Sequence, residues 1–529
     1  MIAILGLLFN LVGFCFFAWR RLKRYLHIFQ QDEYDGSRFL PWLIQTRTFD
    51  KRVSIALVVI AFFTIFLRTP INIFLPGLLF IIFALLEADP TKIAKKPLAM
   101  TKRASRVFMT AMIVTALIAI GVARVKNIWL WIILVQVLPI TLVLAKTILQ
   151  PGENRIQRRI REEAQTKLQQ INSKIIGITG SFGKTSVKHI LGNILGLNAR
   201  SFFTPGGINT VMGISRIIRE QLPTDTEFFV VEMGAYGQGS IKRLCDLTPP
   251  SLGIITALGE AHYERFKDLD TVARAKFELA DAVLNHPDGK MIVHDSVLKQ
   301  SYARDFVTAH RDRFIVCGME QNSDVVISSW EQTKNGLNIV VQWNGQTHSI
   351  NAPIFGEQHV GNIALSFAAA SVLGIAPEYA LHALQVTPQI KHRLEIKPQP
   401  DGTTYIDDAY NSNEIGFTAA LDCLSRVADG KGRRIIVTPG LVELGEKHDD
   451  VHRSLGALTA EKADITVVVK PERIPSFLEG FRGKQTSAEL KEFGSFKDAI
   501  QWVQLNIQSG DVVLLENDLP DLYERKLVL

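Results

Sequence analysis

Cysteine is scarce in this chain: four residues in 529, at Cys15, Cys245, Cys317 and Cys423. They are too scattered for a disulfide framework or a zinc site, and they fit a reducing compartment. Acidic residues are also scarce, but only in one region. Residues 1–150 hold 6 Asp/Glu against 18 Lys/Arg, a balance of +12, so the net charge of +7 leaves the remainder near −5. A pI near 9.1 is therefore a poor argument for a nucleic-acid partner, because the basic excess lies between apolar segments. Internal repeats and low-complexity tracts are absent, which excludes solenoids and long disordered tails. Apolar residues, in contrast, are plentiful. The hydrophobic share is 47% and the mean hydropathy +0.14, high for a wholly soluble protein. A chain of this length holds several domains.

Five apolar stretches fall in the first part, near 2–19, 53–68, 71–87, 107–123 and 128–145. Several are shorter than the ~20 residues needed to span a bilayer core, so the pair around Arg68–Pro70 reads as two short spans or one re-entrant hairpin. The cluster "RRLKRY" follows the first run instead of preceding it, which argues against a cleavable signal peptide. Two connections are basic, 20–52 and 88–106, while the other two hold only Arg68, and Arg124 with Lys126. With about five spans, both basic loops and everything after residue 150 fall on one side, and the positive-inside rule makes that side cytoplasmic. The expectation is a multi-pass protein of the cell membrane, with 1–150 as its membrane domain and the bilayer as a partner.

A linker helix is expected over 151–173. It places Ile156, Ile160, Ala164, Leu168 and Ile171 on one stripe. Either this stripe packs on a soluble domain, or Arg155, Arg158, Arg159 and Arg161 lie near anionic headgroups.

From 174 onward short β-branched runs alternate with helical patterns, as in "FFVVEMG" (228–234), "LGIITAL" (252–258), "RRIIVTPG" (433–440) and "GDVVLLEN" (510–517). This alternation predicts parallel α/β sheets. Within it, "ITGSFGKTSVKHIL" (178–191) is a strand, a Gly-rich turn and a helix start. Gly180 and Gly183 let the backbone wrap close to phosphate oxygens, with Ser181 and Ser186 in the same loop and first turn. Lys184 would reach the β- and γ-phosphates, and the Thr185 hydroxyl would join a Mg²⁺ shell. The broad phosphate-loop pattern wants another glycine where Ile178 stands.

Further stretches follow in a fixed order: "VVEMGAYGQGSI" (230–241), "IITALGEAHYERFKDLDTVARAKFELA" (254–280), "GEQHVGNIALSFAAASVLGI" (356–375), "HRLEI" with "YIDDAYNSNEIGF", and "TPGLVELGEKHDDVH". Together with the phosphate loop they resemble the Mur ligase family, ATP-dependent amide-forming enzymes of cell-wall precursor synthesis, in the form of its D-alanyl-D-alanine-adding branch. The resemblance covers nearly all of 174–529. It implies a central phosphate-loop, parallel-sheet domain over 174–390 and a Rossmann-like C-terminal domain over 391–529. The implied reaction activates a carboxylate as an acyl phosphate, which an amine then attacks. The implied substrates are ATP, a cell-wall precursor, and an amino acid or a dipeptide such as D-Ala-D-Ala.

The resemblance also assigns residues. Glu232, His262 and Thr185 would hold Mg²⁺, and Lys276 would join them as a carbamylated lysine formed with CO₂; the plainer alternative is a helix-surface lysine. Asn362 would contact adenine, unless it is simply a residue at a helix start. Arg393 and Asp407 would meet phosphates or ribose, Asp408 being the other half of that acidic pair. Tyr410, Asn411 and Asn413 would stand near the incoming amine or the nucleotide, and Asn209 is what remains of an Asn-rich substrate loop. Two departures stand out. Glu414 replaces a usual proline, and "ENDLPDLY" (516–523) replaces a basic "KGSR"-like segment tied to amine recognition. No segment has the size of the family's UDP-gripping domain, which suggests a lipid-linked acceptor. A poly-γ-glutamate-type ligase and a non-catalytic membrane nucleotide sensor are the alternatives. A transporter fits least, since the apolar stretches hold little beyond Asn10, Asn72, Gln136 and Lys146.

Overall fold

The computed structural model describes residues 2–517 except 32–33, 46–49, 67–72, 94–96, 126, 260–267, 334, 410–412, 431 and 443. Two compact units are formed, one by residues up to 156 and the other by 157–518.

The first unit is helical: α1 (Ile2–Gln31), α2 (Gly36–Gln45), α3 (Arg52–Phe66), α4 (Leu75–Leu86), the single turn α5 (Pro90–Ile93), α6 (Lys102–Val125) and the start of α7 (Ile128–Ile171). By length and composition α1, α6 and α7 are long and apolar enough to cross a membrane, while α3 and α4 are shorter apolar helices. The 30 residues of α1 reach about 45 Å, more than a ~30 Å hydrocarbon core needs. Phe14, Phe17, Phe80 and Trp131 pack together at its centre, and Gly13 sits against the Gly77 backbone where a Cβ would not fit.

The first apolar run does not end its helix: α1 continues through the basic cluster. The continuation buries Arg21, which bonds Asp50 Oδ2 at 2.7 Å and Glu87 Oε1 at 2.6 Å from Nε. Arg24 takes the other Glu87 oxygen at 2.6 Å, so the start of α3 and the end of α4 are tied to α1. Gln136 on α7 joins this network through Ser54 Oγ and the Asp50 carbonyl.

The second unit carries two sheets. The first has nine strands in the order β2-β3-β1-β4-β5-β6-β7-β8-β9, where β1 is Lys174–Thr179, β2 Ser201–Phe203, β3 Phe228–Glu232, β4 Leu252–Ile255, β5 Lys290–His294, β6 Phe314–Gly318, β7 Val325–Thr333, β8 Gly336–Trp343 and β9 Gln346–Ala352. Strands β2 to β7 pair in parallel, and their continuous apolar runs reflect burial on both faces. Strands β7 to β9 are antiparallel; the irregular stretch near 290–353 thus extends the same sheet and makes it mixed. Alternation along β1 sends Ile176 and Ile178 toward helix α8 (Lys184–Asn198) and the helix Gln358–Val372. Ile175 points the other way, toward the helices Val211–Glu220, Ser240–Leu247 and Leu269–Leu284.

Helix α7 is one uninterrupted helix of 44 residues with Pro151 inside it, so the expected linker helix is the continuation of the last apolar segment. Its residues Ala164 and Leu168 are buried among the second unit's apolar side chains. Arg158 and Arg159 bond Glu162 and Glu163 one turn on.

The second sheet has the order β10-β11-β15-β12-β13-β14, with β10 Glu395–Pro398, β11 Thr404–Asp408, β12 Arg434–Thr438, β13 Ile465–Val469, β14 Glu489–Phe493 and β15 Val512–Glu516. Only β10 runs antiparallel. The crossover helices cover both faces, as a doubly wound sheet requires.

Candidate active site

In parallel α/β sheets the carboxyl ends of neighbouring strands converge, and ligands bind there. Ile178 on β1 pairs with Glu232 on β3, and Thr179 pairs with Ile255 on β4. The phosphate loop, Glu232 and the segment after β4 therefore open on one edge.

The loop's shape is held by its neighbours. Ser181 N–H donates to Ala257 O at 2.8 Å, Ser181 Oγ exchanges bonds with Gly259, and Thr256 Oγ1 donates to Phe182 O. Ser181 is thereby placed as a loop-shaping side chain. Gly183 has φ +80 at the N-terminus of α8. A Cβ there would meet Asn362 Oδ1, so glycine is needed both for its left-handed backbone and for space. The first turn of α8 directs its free N–H groups, and the positive end of its dipole, into the opening. Lys184 Nζ folds back onto Gly180 O at 2.8 Å and Ser181 O at 3.3 Å. Ser186 is buried in that turn.

Glu232 is the hub. Its Oε2 accepts from Thr185 Oγ1 at 3.0 Å and from Lys188 Nζ at 2.9 Å, and its Oε1 accepts from Asn209 Nδ2 at 3.3 Å. Burial works against its charge, but Lys188, Lys184 and the Thr185 hydroxyl outweigh it and hold the carboxyl below its ordinary range. Asn209 also accepts from Tyr236 OH at 2.9 Å. Lys188 is wholly buried and donates as well to Gly206 O, which ties α8 to the turn preceding Asn209. Lys188 and Tyr236 escaped the sequence reading. For Lys188 the signal was present: it stands four residues after Lys184, on the same face of α8.

Lys276 lies on the helix Leu269–Leu284, which Asp268 caps, and it is 4% exposed. Among the described residues it has neither a carboxylate nor a hydrogen-bond partner. Burial, reinforced by the charge of Lys184, pushes its ammonium well below the ordinary lysine range. A solvent-facing helix lysine is therefore excluded. Burial, followed by Arg393, also lowers Lys184, against the pull of Glu232.

Asn362 lies in the second turn of the helix Gln358–Val372. Its amide donates to Gln358 O at 3.0 Å and lies 3.3 Å from His359 Nδ1, with Oδ1 turned to the phosphate loop. His359 is buried and held neutral, its pKa drawn down to about 3 by burial and Arg393. Arg393 precedes β10, close enough to Lys184 and His359 to act on both electrostatically. Asp407 bonds His392 Nδ1 at 2.9 Å and Lys397 Nζ at 2.6 Å. Asp408 accepts from Leu394 N–H at 3.2 Å and is the register neighbour of Glu516 on β15. Asn413 caps the helix Glu414–Ala428 by accepting from Gly416 N–H at 2.8 Å. His452 bridges His448 O and Leu441 N–H, a structural placement. His262, Tyr410 and Asn411 lie outside the described residues.

The donor set suits a nucleotide triphosphate with a hard divalent cation. It offers a helix N-terminus with a glycine cradle, one lysine at the loop, and a hydroxyl and a carboxylate 3.0 Å apart as oxygen ligands.

Comparison with known proteins gives the family of both domains. Residues 178–370 match the Mur ligase middle domain and residues 392–516 match the Mur ligase glutamate ligase domain. The UDP-N-acetylmuramoyl-tripeptide--D-alanyl-D-alanine ligase of Bacillus subtilis is 28% identical over 379 residues, covering 70% of this chain and 80% of that protein. The enzyme of the same name from Mycobacterium tuberculosis H37Rv is 29% identical over 355 residues, covering 64% of this chain and 66% of its own length. Among solved structures, MurF from Acinetobacter baumannii superposes with a TM-score of 0.61 at 25% identity, over 69% of this chain and 78% of that one. The ordered motifs, the phosphate loop beside Glu232 and these matches lead to one conclusion: the chain belongs to the Mur ligase family of ATP-dependent amide-forming ligases.

Proposed function

We propose that this protein joins the carboxylate of a muramoyl-peptide precursor to the amino group of D-alanyl-D-alanine, with ATP as the energy source. The observation that carries this reading is the grouping of Lys184, Thr185, Glu232 and Lys276 at the carboxyl edge of the first sheet, in a chain similar to enzymes named for that reaction. A carboxylate is a poor electrophile. One of its oxygens first takes the γ-phosphoryl group, giving an acyl phosphate and ADP. The amine nitrogen then attacks the acyl carbon, loses its proton, and expels phosphate from the tetrahedral adduct.

Phosphoryl transfer needs positioning and charge neutralisation above all. The N–H groups at the start of α8 would hold the phosphates, and Lys184 would swing from the loop carbonyls to their oxygens. Thr185 and Glu232 would hold Mg²⁺, with His262 completing the set; when bound, the ion neutralises charge on the transferring group. Asn362 and Arg393 would seat the nucleotide, and Asn209 would face the acceptor. A carbamate at Lys276 would supply a negative ligand where a bare ammonium would repel the metal, and a buried lysine with no described partner is the kind of amine that reacts with CO₂. Activity lost in CO₂-stripped buffer and regained with bicarbonate is the expected behaviour; activity indifferent to both removes the carbamate.

The acceptor is proposed to be lipid-linked. Support comes from the helical unit before residue 157, with three helices of membrane-crossing length, in a chain whose family matches begin at residue 178. Binding energy from a lipid or its headgroup would then stand in for that of a nucleotide handle. The test gives full-length protein in liposomes ATP, Mg²⁺, labelled D-Ala-D-Ala and either lipid-linked or UDP-linked precursor, beside Lys184→Ala. Label in the lipid-extractable fraction, absent with Lys184→Ala, is expected. Label only in the water-soluble fraction assigns a UDP-linked acceptor, and label in neither overturns the reaction.

A further inference from the structure

The turn 390–395 carries Arg393 between two residues with left-handed backbones, His392 at φ +59 and Leu394 at φ +49. Residues with a Cβ seldom adopt this conformation, and surroundings must enforce it where they do. For Leu394 the enforcement is plain: its side chain is 1% exposed in the second sheet's core, and its N–H donates to Asp408 Oδ1. His392 gains no such burial, for its side chain is about half exposed. Its backbone N–H donates to Glu395 Oε2 at 3.2 Å, and its ring Nδ1 meets Asp407 Oδ2 at 2.9 Å. Asp407 is fixed in turn by Lys397 Nζ, which also bonds Glu395 Oε2 at 2.9 Å.

His392, Glu395 and Asp407 offer ligand atoms within 4.8 Å of one another, a spacing a metal would accept. Lys397 already supplies a cation to both carboxylates, so the cluster is better explained by what it holds in place. That is the backbone on either side of Arg393.

We propose that His392 is a positioning residue: clamped to Asp407, it holds the turn so that the Arg393 guanidinium faces the phosphate-loop lysine. Asp407, expected from the sequence to touch the nucleotide, acts here through His392. The inference rests on the reading of Arg393 as a nucleotide contact, and the test separates the two.

Binding of a fluorescent ATP analogue with Mg²⁺ is measured on the full chain in detergent, together with thermal unfolding. Arg393→Ala is expected to weaken binding about tenfold or more, the loss of one charge-assisted contact. His392→Gly removes the clamp but relieves the backbone. It is expected to keep or raise the melting temperature while weakening nucleotide binding about fivefold. His392→Asn, which tolerates the left-handed backbone and keeps a hydrogen-bonding group toward Asp407, stays near wild type. Asp407→Asn gives a loss like that of His392→Gly, and the double variant is no worse than either. Should His392→Gly not fold, Asp407→Asn and His392→Asn carry the comparison. Unchanged binding in Arg393→Ala overturns the nucleotide reading of Arg393. A loss there with none in His392→Gly, or additive losses in the double variant, overturns the positioning role alone.

Discussion

Lys188 lies wholly inside the protein, and so does the Glu232 carboxylate it meets at 2.9 Å. Removing one partner of such a pair leaves the other charge buried alone, which costs about 3–5 kcal/mol. Lys188→Met is therefore expected to lower stability by that order in thermal or denaturant unfolding, with Lys188→Arg keeping part of it. The pH sign follows from Glu232, whose folded carboxyl lies below its ordinary value. Its contribution is present above the unfolded carboxylate range and is lost as pH falls through the folded value, so Lys188→Met should flatten the acid limb. Asp408 behaves oppositely. It stands beside Glu516 in the β11–β15 register, and burial pushes it up to about 6 in spite of Arg393. The folded state binds the extra proton between about pH 4 and pH 6, so this contribution is full below that window and lost as pH rises through it. Glu516→Gln, an amide able to donate to Asp408, should raise the melting temperature at pH 7.5 and change it little near pH 4.5. Lys184 and Thr185 were legible in the sequence because a glycine cradle has a linear signature, whereas Glu232 was named through the family resemblance of its segment. Lys188 carried only the weaker signal of its place four residues after Lys184, because its partners come from 18 and 44 residues away and no local pattern names them.

At the scale of elements, α7 differs most from the sequence reading. The charge pattern divides it into an apolar segment and an amphipathic one, yet the backbone runs through Pro151 without a break. A proline removes one helical N–H, and neighbouring turns absorb the loss where the helix is anchored on both sides. One anchor is Leu168, 6% exposed among the second unit's apolar side chains. Leu168→Ala should cost about 2–4 kcal/mol, read as a lower melting temperature of the full chain; an unchanged value would mean the helix end contributes no core. The strands β1, β3 and β4 were plain from their unbroken apolar runs, whereas β7 to β9 were not seen as one sheet with them. Their alternating burial, half facing solvent, gives a weaker signal, and the short β6–β7 ladder, Cys317 with Val325 and Gly318 with Val326, joins them to the parallel strands.

For the whole molecule, the three long apolar helices predict the behaviour in cells. The protein should sediment with membranes, resist an alkaline carbonate wash and enter solution only with detergent. Release by carbonate would remove the spanning reading. The sequence also left Arg21 as one member of a basic loop. In the fold it is a buried ion-pair centre among helix ends, since a guanidinium at that depth must find carboxylates.

What the sequence alone determined was periodic or local: apolar segments of membrane-crossing length, alternating α/β elements, and the phosphate loop with its ordered companions. Each is written in neighbouring residues, because helix, strand and turn propensities act over a few positions. The tertiary structure decided which charges meet. It made Glu232 a hub for Thr185, Lys188 and Asn209, left Lys276 buried with only Lys184 acting on it among the described residues, turned Asp407 to His392, and made Asn413 a cap. The physical reason is that charge–charge and hydrogen-bond energies depend on distance and burial in space, and the chain order of these residues carries neither.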